Sequence, residues 1–316
     1  MKIIRDSDDA SVDASVLTIG AFDGVHLGHQ TVIREVMRRA ADRGVASAVV
    51  TFDVHPATVV RPESAPKLLT TLERKLELLK ELGVDATYVI EFDERRANTT
   101  AEEFTKQVFV DRLNVAEIVV GDNFHFGKGR EGTVAFLSDR GAQYGFSVDG
   151  LDLVCHEPDA TEHVSSTAIR RALVGGDIDA ATSMLGRNFE LCGEVIQGDQ
   201  RGRSIGVPTA NVRLLDEMAR PANGVYAARY VMPDGTVHDA AVNIGVRPTF
   251  YERADAAVME AHLLDFEGDL YGQVARVQFV KFLRGERRFD GIEELTAQLH
   301  TDITDTRDVL QHLEGV

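Results

Sequence analysis

The chain has 316 residues, 44% of them hydrophobic, and a net charge of −17 from 51 acidic and 34 basic side chains. This length is long for one domain and comfortable for two. Because a nucleic-acid backbone selects a basic protein surface, the charge argues against nucleic acid as the main partner. It does not argue against phosphate ligands, since salt screens the surface field within about 10 Å and a few local basic groups outweigh it.

The cysteines and the first residues indicate where the protein works. Cys155 and Cys192 are the only cysteines, and without a CxxC motif we expect free thiols in a reducing cytosol rather than a disulfide. The opening MKIIRDSDDASVDAS carries acidic residues where a signal peptide needs an apolar core. No apolar run approaches the roughly 18 residues of a membrane span. We therefore expect a cytoplasmic protein without a membrane partner.

The first 185 residues alternate between two periodicities. The apolar runs typical of buried strands are VLTIGAF, ASAVVTF, ATYVIEF, AEIVVGDNF and FSVDGLDLV. The segments between them have helical spacing, with ends at Gly44 and Gly83 and a capped start at Thr99 or Thr100. This alternation predicts an α/β domain with right-handed crossovers and a Rossmann-like parallel sheet. Ligands of such sheets bind at the carboxyl ends of the strands.

Beyond Gly186 the pattern changes to short strands. The segments, separated by Gly, Pro and Asp, are FELCGEVI, GVYAARYVM, HDAAVNIG, AVMEAHLLDF and GQVARVQFVKFL. They predict a β-barrel or a sandwich, and a closing helix, IEELTAQLHTDITDTRDVLQHL, follows them. We place the domain boundary near residues 183–189, which gives domains of residues 1–185 and 186–316.

The stretch GAFDGVHLGHQ, from Gly20 to Gln30, lies where a strand is predicted to become a helix. A glycine-permitted turn there aims backbone N–H groups and the positive end of the helix dipole at a ligand. His26 and His29, called the histidine pair below, would project into the same space and suit the negative charge that develops on a phosphate. The alternative is a capping turn with two surface histidines. Without a third ligand, the pair does not predict a metal site.

Two further segments have the composition of phosphate sites. In VSSTAIRR, hydroxyl side chains at 165–167 open a helix and Arg170 lies one turn inside it. They predict either a second anion site or, more simply for this segment alone, a helix cap. GDNFHFGKGREG, residues 121–132, is a glycine-rich basic loop with Asn123 at the strand end. It is not a P-loop, because it lacks the Walker spacing.

GRSIGVPTANV, residues 202–212, is the clearest motif of the second half. Its glycine-rich start can surround phosphates with backbone N–H groups. If the segment is extended, Thr209 and Asn211 point the same way and offer the hard oxygen ligands that Mg²⁺ accepts. A polar turn before a strand is the alternative. Glu260 stands among apolar neighbours, where it is either a salt-bridged structural residue or a positioned base, and the pattern does not decide between the two.

Together with TFDVHP at 51–56, these segments resemble the bacterial bifunctional riboflavin kinase/FAD synthetases. The nucleotidyltransferase domain of that family carries a G-x-F-D-G-x-H-x-G-H turn, a G-x-x-F-x-F-G loop and an S-S-T-x-I-R helix start. The segments AVNIGVRPTF, VMEAHLLDF, GDLYG and FLRGERRF then follow in the order of its riboflavin kinase domain, a small antiparallel β-barrel with a terminal helix. The resemblance covers essentially the whole chain. Val54 and Val207 stand where the family often has proline and phenylalanine.

The resemblance implies two ATP-dependent reactions that need Mg²⁺. The C-terminal domain would phosphorylate riboflavin to FMN, and the N-terminal domain would adenylylate FMN to FAD with release of pyrophosphate. The histidine pair would contact the ATP phosphates, and Glu260 would take the proton of the ribityl 5′-hydroxyl. The other implied nucleotide- or phosphate-binding residues are Gly20, Phe22, Asp23, Asn123, Ser166, Thr167, Arg170, Gly202, Arg203 and Gly206. The implied metal ligands are Thr209 and Asn211.

Three alternatives stay open. A nucleotidyltransferase with a different phosphorylated acceptor fits the first half, but it leaves the motifs of residues 203–289 unexplained. A kinase whose N-terminal domain has lost activity is disfavoured by the intact histidine pair and Arg170. A non-catalytic flavin-binding or regulatory protein is disfavoured by Thr209, Asn211 and Glu260.

Overall fold

The structure is a computed structural model that describes residues 1–151, 164–198, 202, 205–246 and 257–314. The chain divides into two compact units, Met1–Ser166 and Thr167–Val316. Within the ranges described, every helix is too short or too polar to cross a membrane.

The first unit is built on a parallel sheet, as the alternating periodicity predicts. Its strands are β1 (Lys2–Arg5), β2 (Ser15–Ile19), β3 (Ala46–Phe52), β4 (Ala86–Ile90), β5 (Val115–Gly121), β6 (His125–Phe126), β7 (Gly132–Thr133) and β8 (Ser147–Leu151). Six of them form a sheet in the order β1-β4-β3-β2-β5-β8, whose neighbouring strands all pair in parallel. The short β6 and β7 form an antiparallel ribbon. The strand order reverses direction at β2 and β5, and such a switch point is where ligands of open α/β sheets bind.

Helices cover both faces of this sheet. They are α1 (Leu27–Arg43), α2 (Pro56–Val60), α3 (Leu72–Leu82), α4 (Glu94–Ala97), α5 (Ala101–Phe104), which continues as a π-helical stretch (Thr105–Arg112), and α6 (Val134–Tyr144). The predicted helix ends are confirmed, because Gly44 and Gly83 cap α1 and α3 with φ of 67° and 94°. These are left-handed conformations that glycine adopts without a steric penalty. The predicted start is also confirmed, since Thr100 and Glu103 form a capping box on α5.

The edge strand β1 was missed by the sequence analysis. It pairs in parallel with β4, from Lys2 opposite Ala86 to Arg5 opposite Val89. Of its four residues only Ile4 is buried, so the segment carries no apolar run to indicate a strand. An edge strand with one buried side chain has no periodicity that reveals it.

The second unit contains a closed antiparallel barrel, which confirms the barrel rather than the sandwich. Its strands are β9 (Phe189–Ile196), β10 (Ala210–Arg213), β11 (Gly224–Val231), β12 (Val237–Val246), β13 (Ala257–Leu263) and β14 (Val274–Arg284). They close in the order β10-β13-β12-β11-β14-β9. Closure leaves no exposed strand edge. The helices are α7 (Ser166–Val174), which begins at the last residue of the first unit, α8 (Ile178–Leu185) and the closing α9 (Ile292–Glu314).

The barrel strands alternate between a buried inner face and an outer face. On β13, Met259 and Ala261 are fully buried, whereas Glu260 between them is partly exposed. Outside the barrel, α9 is tied to β14 because the guanidinium of Arg284 donates to the buried carboxylate of Asp302 at 2.8 and 2.6 Å.

Candidate active sites

The turn after β2 is strained and buried. Phe22 and Val25 have φ of 48° and 40°, and Gly24 has φ of 84°. Left-handed backbone is costly for bulky side chains and persists only where the surroundings over-determine it. Here the burial of Phe22 and Val25, which are 4% and 1% exposed, offsets the cost. The turn is therefore a fixed element between the sheet and α1.

Asp23 anchors this turn to the segment before α3. Its carboxylate accepts the backbone N–H of Leu69 at 2.9 and 3.1 Å and of Thr70 at 3.1 Å. The hydroxyl oxygen of Thr70 in turn accepts the N–H of Gly24 at 3.1 Å. A buried carboxylate held in this way repels a phosphate, so the contacts support shaping of the turn as the role of Asp23.

The histidine pair lies at the N-terminus of α1. His26 is the N-cap residue, and its Nδ1 accepts the backbone N–H of His29 at 3.3 Å. The two rings stack with centroids 3.5 Å apart, and the ring of Phe22 stands edge-on to His29 at 5.1 Å. A Cβ on Gly28 would lie 3.3 Å from the ring of His26. The glycine between the histidines thus leaves room for His26 to fold over the start of the helix.

Hydrogen bonding and burial favour neutral rings in the pair. Because Nδ1 of His26 accepts a hydrogen bond, the proton of the neutral ring resides on Nε2. Burial holds the pKa of His29 well below its usual value of 6.5, and the neighbouring His26 and Lys75 lower it further. Nδ1 of His29 is buried and has no hydrogen-bond partner among the described residues. At neutral pH His29 is therefore an uncharged ring, and Nε2 of His26 is free to be the N–H donor of its ring.

Lys75 is a buried residue of this site that the sequence analysis did not single out within the helical segment that ends at Gly83. Its side chain is 8% exposed, and its ammonium donates to the carbonyls of Ala21 at 3.2 Å and Phe52 at 2.9 Å. Burial lowers its pKa from the usual 10.5 to about 8, against the attraction of two nearby carboxylates. The available signal was a lysine in an otherwise apolar helical stripe.

A recess of about 280 Å³ opens beside this lysine. Residues on its wall include Asp23, Lys75 and the segment Asp53–His55 that follows β3. His55 caps α2 by accepting the N–H of Ala57 at 3.1 Å, and Val54 is 41% exposed. The TFDVHP segment therefore borders the same carboxyl edge of the sheet as the turn.

Asn123 and Ser166 reach this edge from two other segments. Asn123 is exposed in the turn after β5, the strand beside β2. Ser166 begins α7, and its hydroxyl donates to the backbone carbonyl of Asp23 at 2.8 Å. Thr167 is exposed and Arg170 is partly buried further along α7, in the second unit.

The glycine-rich loop at 121–132 is largely exposed, but it is anchored to the start of α5 at Gly127. Gly127 has φ of 73°, and a Cβ there would lie 2.7 Å from the backbone nitrogen of Ala101. Next to it, the N–H of Lys128 donates to the carbonyl of Thr99 at 2.9 Å, and the carboxylate of Glu131 accepts the N–H of Ala101 at 2.8 Å. Only glycine fits this close approach.

In the second unit, backbone hydrogen bonds link Gly202 to residues 205–207, shortly before β10. The carbonyl of Gly202 accepts the N–H groups of Ile205 at 3.2 Å and Val207 at 2.9 Å. A Cβ on Gly202 would lie 2.3 Å from the carbonyl oxygen of Val207, which is itself buried. Gly206 has φ of 79°. Arg203, also predicted to bind phosphate, lies outside the described residues.

Asn211, Glu260 and Asn243, called the polar row below, stand opposite one another on three barrel strands. In the antiparallel register, Glu260 of β13 faces Asn211 of β10 on one side and Asn243 of β12 on the other. Directly opposed residues point to the same face of a sheet. Asn211 is 6% exposed, and a Cβ on Gly198 would lie 2.4 Å from its amide nitrogen. The sequence analysis did not assign Asn243 to the site.

The donor set near the polar row suits a metal with few protein ligands. Thr209 precedes Asn211 by two residues, so both side chains leave an extended segment on the same side. In the part of the chain that the structure describes, no group of three or more His, Cys, Asp or Glu side chains lies close enough to hold a metal ion. Mg²⁺ in phosphoryl-transfer sites relies on one or two protein oxygens together with phosphate oxygens and water. The hydroxyl of Thr209 and the amide oxygen of Asn211 fit that requirement.

Two side chains near the barrel have structural partners. Arg284, in the segment FLRGERRF, is engaged with Asp302 of α9. His262 has its Nδ1 2.7 Å from the carbonyl oxygen of Pro208.

The fold and the two sites define a class: a transferase with a nucleotide-binding α/β unit and a second, barrel-based site. Two family models match the chain, FAD synthetase over residues 8–168 and riboflavin kinase over residues 185–310. The bifunctional riboflavin kinase/FMN adenylyltransferase of Bacillus subtilis (strain 168) is 39% identical over 293 residues, covering 91% of this chain and 90% of that protein. The enzyme of the same name from Escherichia coli (strain K12) is 38% identical and covers 96% of this chain and 96% of that protein. The one from Pseudomonas fluorescens is 41% identical and covers 92% of each. The chain belongs to the bifunctional riboflavin kinase/FMN adenylyltransferase family.

A solved structure has the same fold. The crystal structure of a protein from Streptococcus pneumoniae, described as a macrolide-efflux protein, matches with a TM-score of 0.85 at 29% identity. The match covers 97% of this chain and 99% of that one.

Proposed function

We propose that the two sites described above carry out the two reactions of this family. The chain is a riboflavin kinase and an FMN adenylyltransferase, with riboflavin, FMN and ATP as substrates and FAD and pyrophosphate as products. The observation that carries the site assignment is the stacked histidine pair at the N-terminus of α1. We also propose the domain boundary at residues 185–186 and a cytoplasmic location.

In the adenylylation, a phosphate oxygen of FMN attacks the α-phosphorus of ATP, and the bond from that phosphorus to the oxygen of pyrophosphate breaks. The reaction needs no covalent intermediate, so catalysis rests on positioning and on stabilising the charge of the five-coordinate phosphorus. Nε2–H of His26 and the neutral ring of His29 supply donors at this charge. Neutral donors fixed before the reaction need no reorganisation during it.

The remaining predicted residues take supporting parts in this site. Phe22 and Asp23 shape the turn. Gly20 leaves room for the ring of Phe22, because a Cβ on Gly20 would lie 3.3 Å from that ring. The other proposed nucleotide- or phosphate-binding residues are Asn123, Ser166, Thr167 and Arg170 in the first reaction site, and Gly202, Arg203 and Gly206 in the second.

In the kinase reaction, the ribityl 5′-hydroxyl of riboflavin attacks the γ-phosphorus of ATP, and the bond from that phosphorus to ADP breaks. The carboxylate of Glu260 takes the hydroxyl proton as the new bond forms. Its partly exposed position between two amides suits this part, because an ionised carboxylate can accept hydrogen bonds from both sides. A base of this kind contributes about 10²–10⁴-fold in rate.

Thr209 and Asn211 would hold Mg²⁺ beside the polar row. When bound, the ion supplies charge neutralisation at the triphosphate. Asn211 is held beside Ile196 at the end of β9, and Thr209 follows the residues whose N–H groups bond the carbonyl of Gly202.

Product analysis by chromatography tests the proposal. The purified chain is incubated with riboflavin, ATP and Mg²⁺, and in a second reaction with FMN in place of riboflavin. Wild type is expected to form FMN and then FAD, Glu260→Ala to form FAD only when FMN is supplied, and His29→Ala to stop at FMN.

Each alternative predicts a different outcome of the same experiment. FMN without FAD, even from supplied FMN, would show that the first unit uses another acceptor or is inactive. Flavin binding without turnover of ATP would support a regulatory protein and overturn the assignment of both sites.

A further inference from the structure

A buried lysine lies beneath the strained turn, and the mechanism above gives it no part. Lys75 stands on α3, and the two carbonyls that its ammonium contacts belong to residues following β2 and closing β3. Burying an ammonium is costly unless hydrogen bonds and charges compensate it. The buried ammonium lies at the carboxyl edge of the sheet, where the proposed adenylylation site lies.

The contacts of Lys75 lead directly to the histidine pair. Ala21, whose carbonyl it binds, precedes Phe22, and the ring of Phe22 stands edge-on to that of His29 at 5.1 Å. The hydroxyl of Thr51 also donates to the carbonyl of Ala21, at 3.2 Å. Within the described residues, the ammonium of Lys75 bridges the carbonyls of Ala21 and Phe52.

We propose that Lys75 is a positioning residue for the adenylylation site. Its ammonium links the ends of β2 and β3 to the strained turn and thereby fixes the ring of His29. This inference rests on the proposed function, because the position of the His29 ring matters only if the ring donates to a bound triphosphate. Lys75 acts through Ala21 and Phe22 and does not itself take part in the transfer.

The surrounding charges support this placement. Asp23 and Asp53 lie close enough to attract the ammonium, and His55 lines the same recess. Burial is the main cause of the lowered pKa of His29, and the ring of His26 and then the charge of Lys75 lower it further. Lys75 thus holds the ring in place and adds to the burial that keeps it neutral.

The experiment compares the full-length wild type with Lys75→Met and Lys75→Arg. The methionine variant keeps the length of the side chain but removes the charge and the donors, whereas the arginine variant keeps both. FAD formation from supplied FMN is measured as kcat and KM, and riboflavin kinase activity of the same chain serves as the control. Spectra of protein labelled with ¹³C at histidine Cε1 follow His29, which is assigned by its loss in His29→Ala.

We expect Lys75→Met to lower kcat for FAD formation by about 10- to 100-fold, the size of effect that a small misplacement of a reacting group produces. Its KM for FMN and its kinase activity should stay close to wild type. Because removal of a positive neighbour eases protonation, the titration midpoint of His29 should rise, and its signal at neutral pH should shift. Lys75→Arg should restore part of the rate.

Three results would overturn the proposal: wild-type kcat in Lys75→Met, a lowered kcat with the His29 signal unmoved, or equal losses in both variants. If Lys75→Met does not fold, the wild-type spectra decide. The His29 signal should then show an inflection near pH 8, where Lys75 loses its proton, and no such inflection at the exposed His300. An absent inflection also overturns the proposal.

The spectra separate this inference from the proposed function. A wild type that forms no FAD contradicts the assigned activity, whereas the position and titration of His29 are read without turnover. A shifted His29 in Lys75→Met would still support the positioning role.

Discussion

The turn that carries the histidine pair is buried at the carboxyl edge of a parallel sheet, whereas the polar row lies on the outer face of a closed barrel. The turn owes its shape to long-range hydrogen bonds, such as those from Leu69 and Thr70 to Asp23. The polar row owes its arrangement to strand register, which places Asn211 and Asn243 beside Glu260. The first site is therefore sensitive to changes in packing, and the second to changes of the functional side chains themselves.

The largest expected effect is at the barrel. Glu260→Gln keeps the shape of the side chain and removes the base, so riboflavin phosphorylation should fall about 10²–10⁴-fold. FAD formation from supplied FMN should stay unchanged. Both rates are measured on the same preparation, with Glu267→Gln, at an exposed glutamate, as the control. A kinase rate within threefold of wild type would remove Glu260 from the reaction.

The matching change at the turn should be somewhat smaller. His29→Ala removes one neutral donor, and loss of such a donor costs about 10²–10³-fold in rate. FAD formation should fall by that factor, while FMN formation continues. His300→Ala, on the exposed face of α9, provides the control. If His29→Ala formed FAD at the wild-type rate, His29 would have no part in the adenylylation reaction.

A pH dependence of stability should distinguish the buried turn from the barrel surface. The pKa of Lys75 is lowered from 10.5 to about 8, so between these values the unfolded chain binds more protons and stability rises with pH. From pH 8 to 9.5 this group should add about 2 kcal/mol to the free energy of unfolding. Urea unfolding of wild type and Lys75→Met at both pH values isolates the contribution of Lys75 to the free energy of unfolding. Parallel pH dependences in the two proteins would contradict the lowered pKa.

The smallest effect tests packing alone. Gly28→Ala places a Cβ 3.3 Å from the ring of His26 without removing any functional group, and we expect a decrease of about 10-fold in FAD formation. Gly291→Ala, where an added Cβ meets nothing within 4 Å, should be silent, as should kinase activity in both variants. An unaffected Gly28→Ala would show that the turn tolerates more movement than its contacts suggest.

Much of the architecture follows from local sequence signals. The helix ends at Gly44 and Gly83 were predictable because the residue that ends a helix often adopts a left-handed conformation, which favours glycine. The capping box at Thr100 was predictable because it is a pattern of four consecutive residues. The position of the histidine pair follows from a short motif between an apolar run and a helix. These features depend on neighbours in the chain, which periodicity and spacing record.

The sequence by itself predicted the alternating elements other than the edge strand, five of the six barrel strands and the motif residues proposed for both sites. Only the tertiary structure showed that Lys2–Arg5 form an edge strand, that Asp23 is held by Leu69 and Thr70, and that Lys75 joins Ala21 to Phe52. It also placed Asn243 beside Glu260. The reason is physical: these contacts join residues far apart in the chain, and an edge strand with one buried side chain has the same local pattern as a surface segment. Their meaning comes from what packs against them, which local spacing does not record.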